Sequence, residues 1–233
     1  MNKNITIGVA AVVVVAIALL GIIYYMIHTN KAAINAAAPR YSDLLGKFNS
    51  SSFNATYLFH VKTMLIENNT VVANQSTVMN VAYSQVGHSS FTISITQNGN
   101  TTRETATQIN ASYYKVCVTY SNGTSTCNTE PSASISSPIY GVLAVLNVTQ
   151  YNYTRSITVL GNNAYCYSNS LNTTAPSVYG LEAIVASDLN CLYPSGVPAY
   201  ASFNLTEALY PQGSTIPFAL QSSSVTATLT GTR

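Results

Sequence analysis

Hydrophobic and polar residues alternate along most of the chain after residue 56. A period of two places every second side chain on one face of a strand, so each run predicts a β-strand with one dry and one wet face. Because Gly and Asn separate several runs and favour turns, the pattern predicts an antiparallel sheet. The apolar members of the runs are Tyr57, Phe59, Val61 and Leu65; Met79, Val81 and Tyr83; Phe91, Ile93 and Ile95; Tyr114, Val116, Val118 and Tyr120; Ile157 and Val159; Ala199, Ala201, Phe203 and Leu205; and alternate residues of 225–230.

Three stretches depart from this alternation and have the apolar spacing of helices. They predict an α+β domain over residues 41–233, in which two or three short helices cover the apolar face of a curved antiparallel sheet (an incomplete barrel). No internal repeat and no second domain are expected. The residues that indicate the helices are Tyr41, Leu44, Leu45 and Phe48 in the first, the apolar run from Ser137-Pro138 to Val148 in the second, and Val178, Leu181, Val185 and Leu189 in the third.

The N-terminal stretch from Ile5 to His28 is uncharged over 24 residues and is rich in Val, Ala, Ile and Leu. As a helix it would be about 36 Å long, enough to cross a hydrocarbon core of about 30 Å. A cleaved signal peptide, whose apolar region is usually shorter, and a pilin-type leader are the alternatives. We predict an uncleaved transmembrane helix at 5–28, preceded by a cytoplasmic segment at 1–4 and followed by a linker at 29–40.

Charges beside this helix do not orient it, because Lys3 precedes it and Lys31, Arg40 and Lys47 follow it. Eleven Asn-X-Ser/Thr sequences lie beyond it, and this is the acceptor pattern for N-glycosylation. Incidental matches are the alternative in a chain with 23 asparagines. The sites favour a single-pass protein of the cell membrane, with its N-terminus inside and its main domain extracellular. They are Asn49, Asn54, Asn68, Asn74, Asn100, Asn110, Asn122, Asn147, Asn152, Asn172 and Asn204.

Four cysteines lie beyond the apolar segment, and an even number in an exported domain indicates disulfides. Cys117 and Cys127 flank an Asn-Gly step, which is a strong hairpin-turn signal. We therefore predict a bridge between these two and a second bridge between Cys166 and Cys191. A zinc site is the alternative, but the closely spaced Cys pairs or nearby His that it requires are not found.

Charged residues make up only 7% of the chain and its net charge is +2, so no basic surface for nucleic acid is expected. His60 falls on a polar position of a strand, and Arg103 and Glu104 are expected to be a cross-strand pair or solvated edge charges. Glu182 and Asp188 lie on one predicted helix but do not form the facing pair that glycoside hydrolysis requires. No nucleophile elbow, phosphate-binding glycine loop or His-Glu-x-x-His motif occurs. We expect no enzyme activity, no metal and no cofactor.

Three short sequences surround the cysteines: Tyr113-Tyr114-Lys115-Val116-Cys117 with Cys127 beyond it, Gly161-Asn162-Asn163-Ala164-Tyr165-Cys166-Tyr167, and Cys191-Leu192-Tyr193-Pro194-Ser195-Gly196. Together with the order of a helix followed by strands over about residues 41–230, they resemble the lipoprotein carriers LolA and LolB, and in particular exported archaeal members of this group. The resemblance implies an incomplete antiparallel barrel around an apolar cavity with a lid of helices. The chain has no lipobox cysteine, and its predicted membrane helix argues against a shuttling role.

Two functions follow from these patterns. The first is the binding of a lipid or other apolar ligand, although the same side chains could simply be core. The second is a glycosylated structural or accessory subunit of a cell-surface layer, filament or membrane complex. The expected partners are accordingly the membrane, an apolar ligand and other cell-surface proteins. The predicted ligand-lining residues are Tyr57, Phe59, Val61, Phe91, Ile93, Ile95, Tyr114, Val116 and Val118.

Overall fold

The computed structural model of the protein describes residues 38–132, 150–177 and 180–232. Strands account for 74% of these residues. The elements are α1 (Tyr41–Ser50), β1 (Ser52–Glu67), β2 (Thr70–Val86), β3 (Ser90–Gln97), β4 (Asn100–Asn110), β5 (Tyr113–Thr119), β6 (Ser125–Pro131), β7 (Asn152–Val159), β8 (Asn162–Ser177), β9 (Gly180–Leu192), β10 (Pro198–Pro211) and β11 (Ala219–Thr232).

All of these strands belong to one antiparallel sheet, in the spatial order β6-β5-β4-β3-β2-β1-β11-β10-β9-β8-β7. The chain meanders outward from β1 to β6, continues to the opposite edge, and meanders back from β7 to β11. β1 and β11 therefore pair in the middle of the sheet, from Ala55 opposite Thr232 to Glu67 opposite Ala219. We call β1 and β11 the seam, β2–β6 the first wing and β7–β10 the second wing.

Tight turns connect neighbouring strands at the positions that the Asn and Gly residues predicted. Asn68 and Asn69 between β1 and β2 have φ of 48° and 61°, and Gly123 between β5 and β6 has φ of 82°. Asparagine and glycine adopt this left-handed region more readily than other residues, so the composition of the turns matches their geometry.

Helix α1 packs on one face of the sheet, which we call the inner face. Its apolar residues Tyr41, Leu44, Leu45 and Phe48 are buried, as their helical spacing predicted. At one end the ring of Phe48 lies 6.4 Å from that of Tyr83 on β2. At the other end Tyr41 lies 5.3 Å from Tyr167 on β8. The helix thus contacts both wings.

The turn between β9 and β10 lies directly against the helix backbone. A Cβ atom at Gly196 would lie 2.4 Å from the backbone nitrogen of Phe48 and 2.5 Å from the carbonyl oxygen of Leu44. The nearby Lys47 Nζ donates a hydrogen bond to the carbonyl oxygen of Pro194 at 3.0 Å. Only glycine permits this approach, so the turn fixes the position of α1 over the second wing.

Both predicted disulfides are present. Cys117 lies opposite Cys127 on β5 and β6, and Cys166 lies opposite Cys191 on β8 and β9. Each bridge therefore joins neighbouring antiparallel strands within one wing. Disulfides persist in oxidising compartments, which agrees with the predicted export of the domain.

The predicted α+β class is wrong for the described residues, which form an antiparallel sheet with a single ten-residue helix. The third predicted helix is strand β9, Gly180–Leu192. Leu181 and Val185 are 44% and 48% exposed on the face away from α1, whereas Ala186 is buried on the inner face. The second predicted helix, up to Val148, lies outside the described residues.

The predicted transmembrane helix at 5–28 also lies outside the described residues, and the structure does not support it. Over the three described ranges, no helix has the length and apolar character needed to span a bilayer.

Candidate functional site

The predicted ligand-lining residues share the inner face. The register places Phe59 opposite Met79, Tyr83 opposite Ile93, and Phe91 opposite Ala106, which in turn lies opposite Val116. Alternate residues of each strand share a face, so all nine side chains lie on the side that α1 covers in part. The structure brings them together as one surface across β1, β3 and β5.

These nine residues differ in burial. Tyr57, Phe59 and Ile93 are 2%, 6% and 1% exposed and belong to the core. The Tyr57 hydroxyl donates a hydrogen bond to the carbonyl oxygen of Pro198 at 3.2 Å. Burial, followed by the neighbouring Tyr83 and Tyr193, raises the pKa of Tyr57 above its ordinary value. This hydroxyl is therefore neutral and structural.

The other six predicted lining residues remain half-buried, mostly on the first wing. Phe91 on β3 packs its ring 6.3 Å from Tyr83, and Tyr114 on β5 donates a hydrogen bond to the carbonyl oxygen of His88. Among the residues of β3–β6, only Ile93 and Ala106 are fully buried. Apolar side chains thus continue along the inner face beyond the strand that α1 contacts. These six residues are Val61, Phe91, Ile95, Tyr114, Val116 and Val118.

Charge is separated between the two faces of the sheet. The register places Glu104 opposite Ile93, Glu130 opposite Tyr114, and Asp188 opposite Phe203, all on the inner face. Burial raises the pKa of Glu104 above its ordinary value. Six of the seven acidic residues of the chain lie on this face: Glu67, Glu104, Glu130, Glu182, Asp188 and Glu207.

The basic residues of the described strands all lie on the other face, which we call the outer face. Arg103 is opposite Ser94 and Thr119, away from the inner-face Glu104. Successive residues of a strand point to opposite sides, so Arg103 and Glu104 do not pair with each other, and Arg103 is exposed. The strand cations are Lys62, Arg103, Lys115 and Arg155.

One of the acidic residues is fully buried under α1. Asp188 is 3% exposed, and its Oδ2 accepts a hydrogen bond from the hydroxyl of Tyr151. Tyr151 stacks on Tyr41 of the helix at 4.1 Å. Burial raises the pKa of Asp188 to about 8, although hydrogen bonds from Tyr151 and Asn190 act in the opposite direction. The carboxyl is therefore mostly protonated at neutral pH.

A second acidic feature lies at the end of the inner face away from α1. Glu182 on β9 is opposite Leu209, and Glu207 on β10 is opposite Ile184 and Gln221. The two carboxylates are diagonal neighbours, roughly 7 Å apart at their Cβ atoms. Burial, followed by the charge of Glu182, raises the pKa of Glu207 above its ordinary value. Sequence reasoning missed this pair because it did not assign register.

The outer face of the second wing forms a polar cavity of about 1050 Å³. Its walls include Arg155, Ser168, Ser187 and Asn204, so hydroxyls and amides dominate it. A smaller cavity of about 450 Å³ lies on the outer face near Thr56. Neither cavity coincides with the predicted apolar lining, which lies on the opposite face.

The sequons avoid the middle of the inner face. Asn49 lies in the last turn of α1 and is half-buried, and Asn147 lies outside the described residues. The sites within strands are on the outer face, and the others lie at or beside turns. Because Asn and Ser/Thr in a sequon are two residues apart, the alternation itself places both on the polar face. The outer-face sites are Asn54, Asn74, Asn152, Asn172 and Asn204; the turn sites are Asn68, Asn100, Asn110 and Asn122.

His60 is exposed on the outer face, opposite Val78 and Thr226. Within 38–132, 150–177 and 180–232, no three His, Cys, Asp or Glu residues form a group that could hold a metal ion.

No protein family and no curated protein matches the chain. Among solved structures, the chain is similar to a domain from Vibrio parahaemolyticus assigned as an outer membrane lipoprotein-sorting protein. The identity is 10%, the match covers 77% of this chain and 85% of that chain, and the TM-score is 0.25. The neighbour is of the kind that the sequence resemblance named, but at this TM-score it carries no argument. Membership of that group and an archaeal origin stay predictions.

Proposed function

We propose that this protein is a non-catalytic domain of an oxidising compartment that binds a lipid or other apolar ligand on the inner face of its sheet. One observation carries the proposal: the apolar inner face continues past α1 onto β3–β5, where its side chains are half-buried. Phe91, Ile95 and Val116 represent this surface. An apolar surface of this kind, which Glu104 interrupts on β4, is typical of a ligand-binding or interaction site.

The distribution of the sequons supports the same face. Carbohydrate on Asn54, Asn74 or Asn204 would cover the outer face and the turns and would leave the inner face free. The inner face of β3–β5 also lacks a lysine or arginine. A ligand with an alkyl chain would therefore meet hydrocarbon, hydroxyl groups and carboxyl groups there.

Native mass spectrometry of the full chain, extracted gently from its source membranes or medium, tests the proposal. We expect mass adducts that organic solvent removes and that correspond to molecules with an alkyl chain. Intact folded protein without such adducts, which also fails to take up an added fluorescent alkyl probe, would overturn the proposal.

A matched pair of variants locates the binding face. Val116 lies half-buried on the inner face, whereas Val78 is 49% exposed on the outer face. We expect Val116→Asn to weaken binding of the alkyl probe about tenfold, because it removes apolar contact equivalent to about two buried methylenes at roughly 0.8 kcal/mol each. Val78→Asn should leave binding unchanged, and equal effects of the two variants would place binding elsewhere.

The alternative function is that of a structural subunit that contacts other cell-surface proteins. The terminal strands of the described sheet order, β6 and β7, favour it because each has a strand neighbour on one side only. Such edges can accept a further strand. Concentration-dependent assembly of the delipidated full chain, measured by light scattering and abolished by Thr129→Pro on β6, whose N–H faces away from β5, would support this function.

A further inference from the structure

The polar cavity on the outer face of the second wing has sequon asparagines in opposite walls. Asn152 on β7 and Asn204 on β10 both line it. Asn204 lies opposite Ser187 on β9, and Asn152 lies opposite Ser168 on β8. The two walls are separated by roughly 14 Å, since neighbouring strands lie about 4.8 Å apart. Carbohydrate attached at either wall would therefore extend over the cavity.

The two asparagines differ in whether the side-chain amide nitrogen already has a partner. Asn152 Nδ2 donates a hydrogen bond to the carbonyl oxygen of Gln150 at 3.2 Å. The Asn204 amide is exposed and makes no hydrogen bond to any part of the chain that the structure describes. Because N-glycosylation joins the sugar to this nitrogen, Asn204 is the more accessible acceptor.

The floor between the two walls consists of hydroxyl groups with no partner in the protein. Ser170, Ser187 and Asn204 lie directly opposite one another on β8, β9 and β10, and Ser168 and Ser202 lie in the next row. All four serines line the cavity, and within 38–132, 150–177 and 180–232 no hydrogen bond engages their hydroxyls. Serine and sugar hydroxyls both donate and accept hydrogen bonds, so this floor is complementary to a carbohydrate.

Two other lining residues suit the remaining parts of a sugar ring. Leu189 lies between Ser168 and Ser202 in their row and is half-buried, so it offers an apolar surface to the C–H face of a ring. Arg155 on β7 is exposed and forms no ion pair with another described residue. Its guanidinium therefore supplies N–H donors to sugar oxygens at the wall opposite Asn204.

Covalent attachment determines whether carbohydrate would stay in such an open cavity. Water competes for each hydrogen bond there, so a free sugar would gain little net free energy. A glycan attached to Asn204 is instead held beside the floor at an effective concentration on the order of mM. Weak contacts are then sufficient to keep its first sugars in place.

We propose that Asn204 carries an N-linked glycan whose first sugars lie in this cavity, over Ser187 and Ser170 towards Arg155. The modification requires a glycosyl phosphate as sugar donor. The bond between the anomeric carbon and the phosphate oxygen breaks, and the phosphate leaves with that electron pair. Asn204 Nδ2 forms the new bond to the anomeric carbon and loses one proton. The glycan site is independent of the proposed apolar ligand, because it lies on the opposite face of the sheet.

Glycopeptide mass spectrometry of the full chain, purified from its native source, tests the attachment. We expect carbohydrate on the peptide that contains Asn204, at higher occupancy than on Asn152, whose amide nitrogen is already hydrogen-bonded. An unmodified Asn204, or higher occupancy at Asn152, would overturn the proposal.

Periodate oxidation tests whether the sugars occupy the cavity, because packed diols react more slowly than solvated ones. The Asn204 glycan should be oxidised about tenfold more slowly on the folded chain than on the chain unfolded in urea. S170A/S187A leaves the sequon Asn204-Leu205-Thr206 intact and should reduce this protection to about threefold. A glycan on Asn74, which is exposed on β2 outside the cavity, should show no protection. Equal rates for the Asn204 glycan on folded and unfolded chain would overturn the docking.

Thermal unfolding separates the glycan from the asparagine that carries it. In the glycosylated chain, N204Q should lower Tm by about 3 °C, whereas N74Q should leave it unchanged. Neither substitution should change Tm in chain produced without glycosylation, because both side chains are exposed. An equal loss for N204Q in the unmodified chain would overturn the proposal, since the amide itself and not the carbohydrate would then be stabilising.

Discussion

Each wing of the sheet contains one cross-strand disulfide, but one bridge is buried and the other is largely exposed. In the second wing Cys166 and Cys191 are 0% and 1% exposed, and α1 and the Gly196 turn pack nearby. In the first wing Cys127 is exposed, and neither β5 nor β6 contributes a fully buried residue. The Cys166–Cys191 bridge therefore lies within the core. The Cys117–Cys127 bridge instead links two strands, β5 and β6, that have no buried core of their own.

This difference shows how the fold can leave an apolar surface accessible. Beyond β2, where α1 contacts the first wing, only Ile93 and Ala106 are fully buried among the described residues of this wing. These strands therefore lack much of the hydrophobic burial that is the main favourable contribution to folding. A cross-strand disulfide constrains the outer hairpin instead. The proposed binding surface lies on this first wing, where order is maintained with little burial.

The largest expected contrast between the wings comes from removing each bridge. C166A/C191A should lower the free energy of unfolding by about 4 kcal/mol, since it opens a 25-residue loop and leaves a cavity in the core. C117A/C127A should cost about 2 kcal/mol, because its loop spans only 10 residues and its surroundings are solvated. Urea unfolding of the two variants measures both values, and equal losses would contradict the assignment of roles.

The next contrast is a pH dependence that originates in the second wing. The folded pKa of Asp188 is raised to about 8, above its ordinary value, so folding favours the protonated form. Stability from this group is fully present below about pH 4 and is lost as the pH rises towards about pH 8. The free energy of unfolding should fall by about 3 kcal/mol between about pH 5 and pH 7.

Asp188→Asn supplies the control for this prediction. The amide keeps the size of the side chain and can accept the hydrogen bond from Tyr151, but it does not ionise. Thermal unfolding of the variant should be nearly independent of pH over the same range. A pH profile that persists in the variant would assign the titration to another group.

A smaller contrast tests the contact between the second wing and α1. Gly196→Ala would place a Cβ against the helix backbone at a φ of 88°. Gly123→Ala in the first wing has a similar φ of 82° but open space around it. The free energy of unfolding in urea should fall by about 2 kcal/mol more for the first substitution than for the second. Both substitutions share the backbone strain, so the difference comes from the clash between the new Cβ and the backbone of α1. Equal costs would mean that α1 is not held by this turn.

The smallest effect is expected for a side chain of the first wing. Val116→Ala should change stability by about 0.5 kcal/mol, because the side chain is half-exposed. Val197→Ala in the second wing, where the side chain is 8% exposed, should cost about 2 kcal/mol. Chemical denaturation of the two variants measures these costs. Because the substitution is the same at both sites, a difference between the costs reports the difference in burial.

The strands were largely predictable because each has a local signal. The alternation in β1, β3, β5 and β10 fixes which residues share a face, and the Asn122-Gly123 step correctly predicted the hairpin and its bridge. The helix predicted at 178–189 was wrong for an instructive reason. Leu181, Val185 and Leu189 are four residues apart, and a spacing of four is also a multiple of the strand period.

The candidate site was predictable only in part. The alternation of residues along each strand placed the nine lining residues on one face. It could not show that Tyr57 and Ile93 belong to the core whereas Val116 is half-exposed. Asp188 was considered only as one of two carboxylates on a predicted helix, so its burial on the inner face opposite Phe203 was not foreseen. The proximity of Glu182 and Glu207 depends on the register between β9 and β10, which no local pattern determines.

The pairing of β1 with β11 has a consequence for how the chain folds. Each wing is a local meander whose hairpins can form early, but the seam joins residues as far apart as Ala55 and Thr232. Pairing across so many residues requires closure of a long loop and is intrinsically slow. Until β11 has been synthesised, β1 and β10 each expose an open hydrogen-bonding edge. The nascent protein is thus most vulnerable to aggregation just before its two halves join.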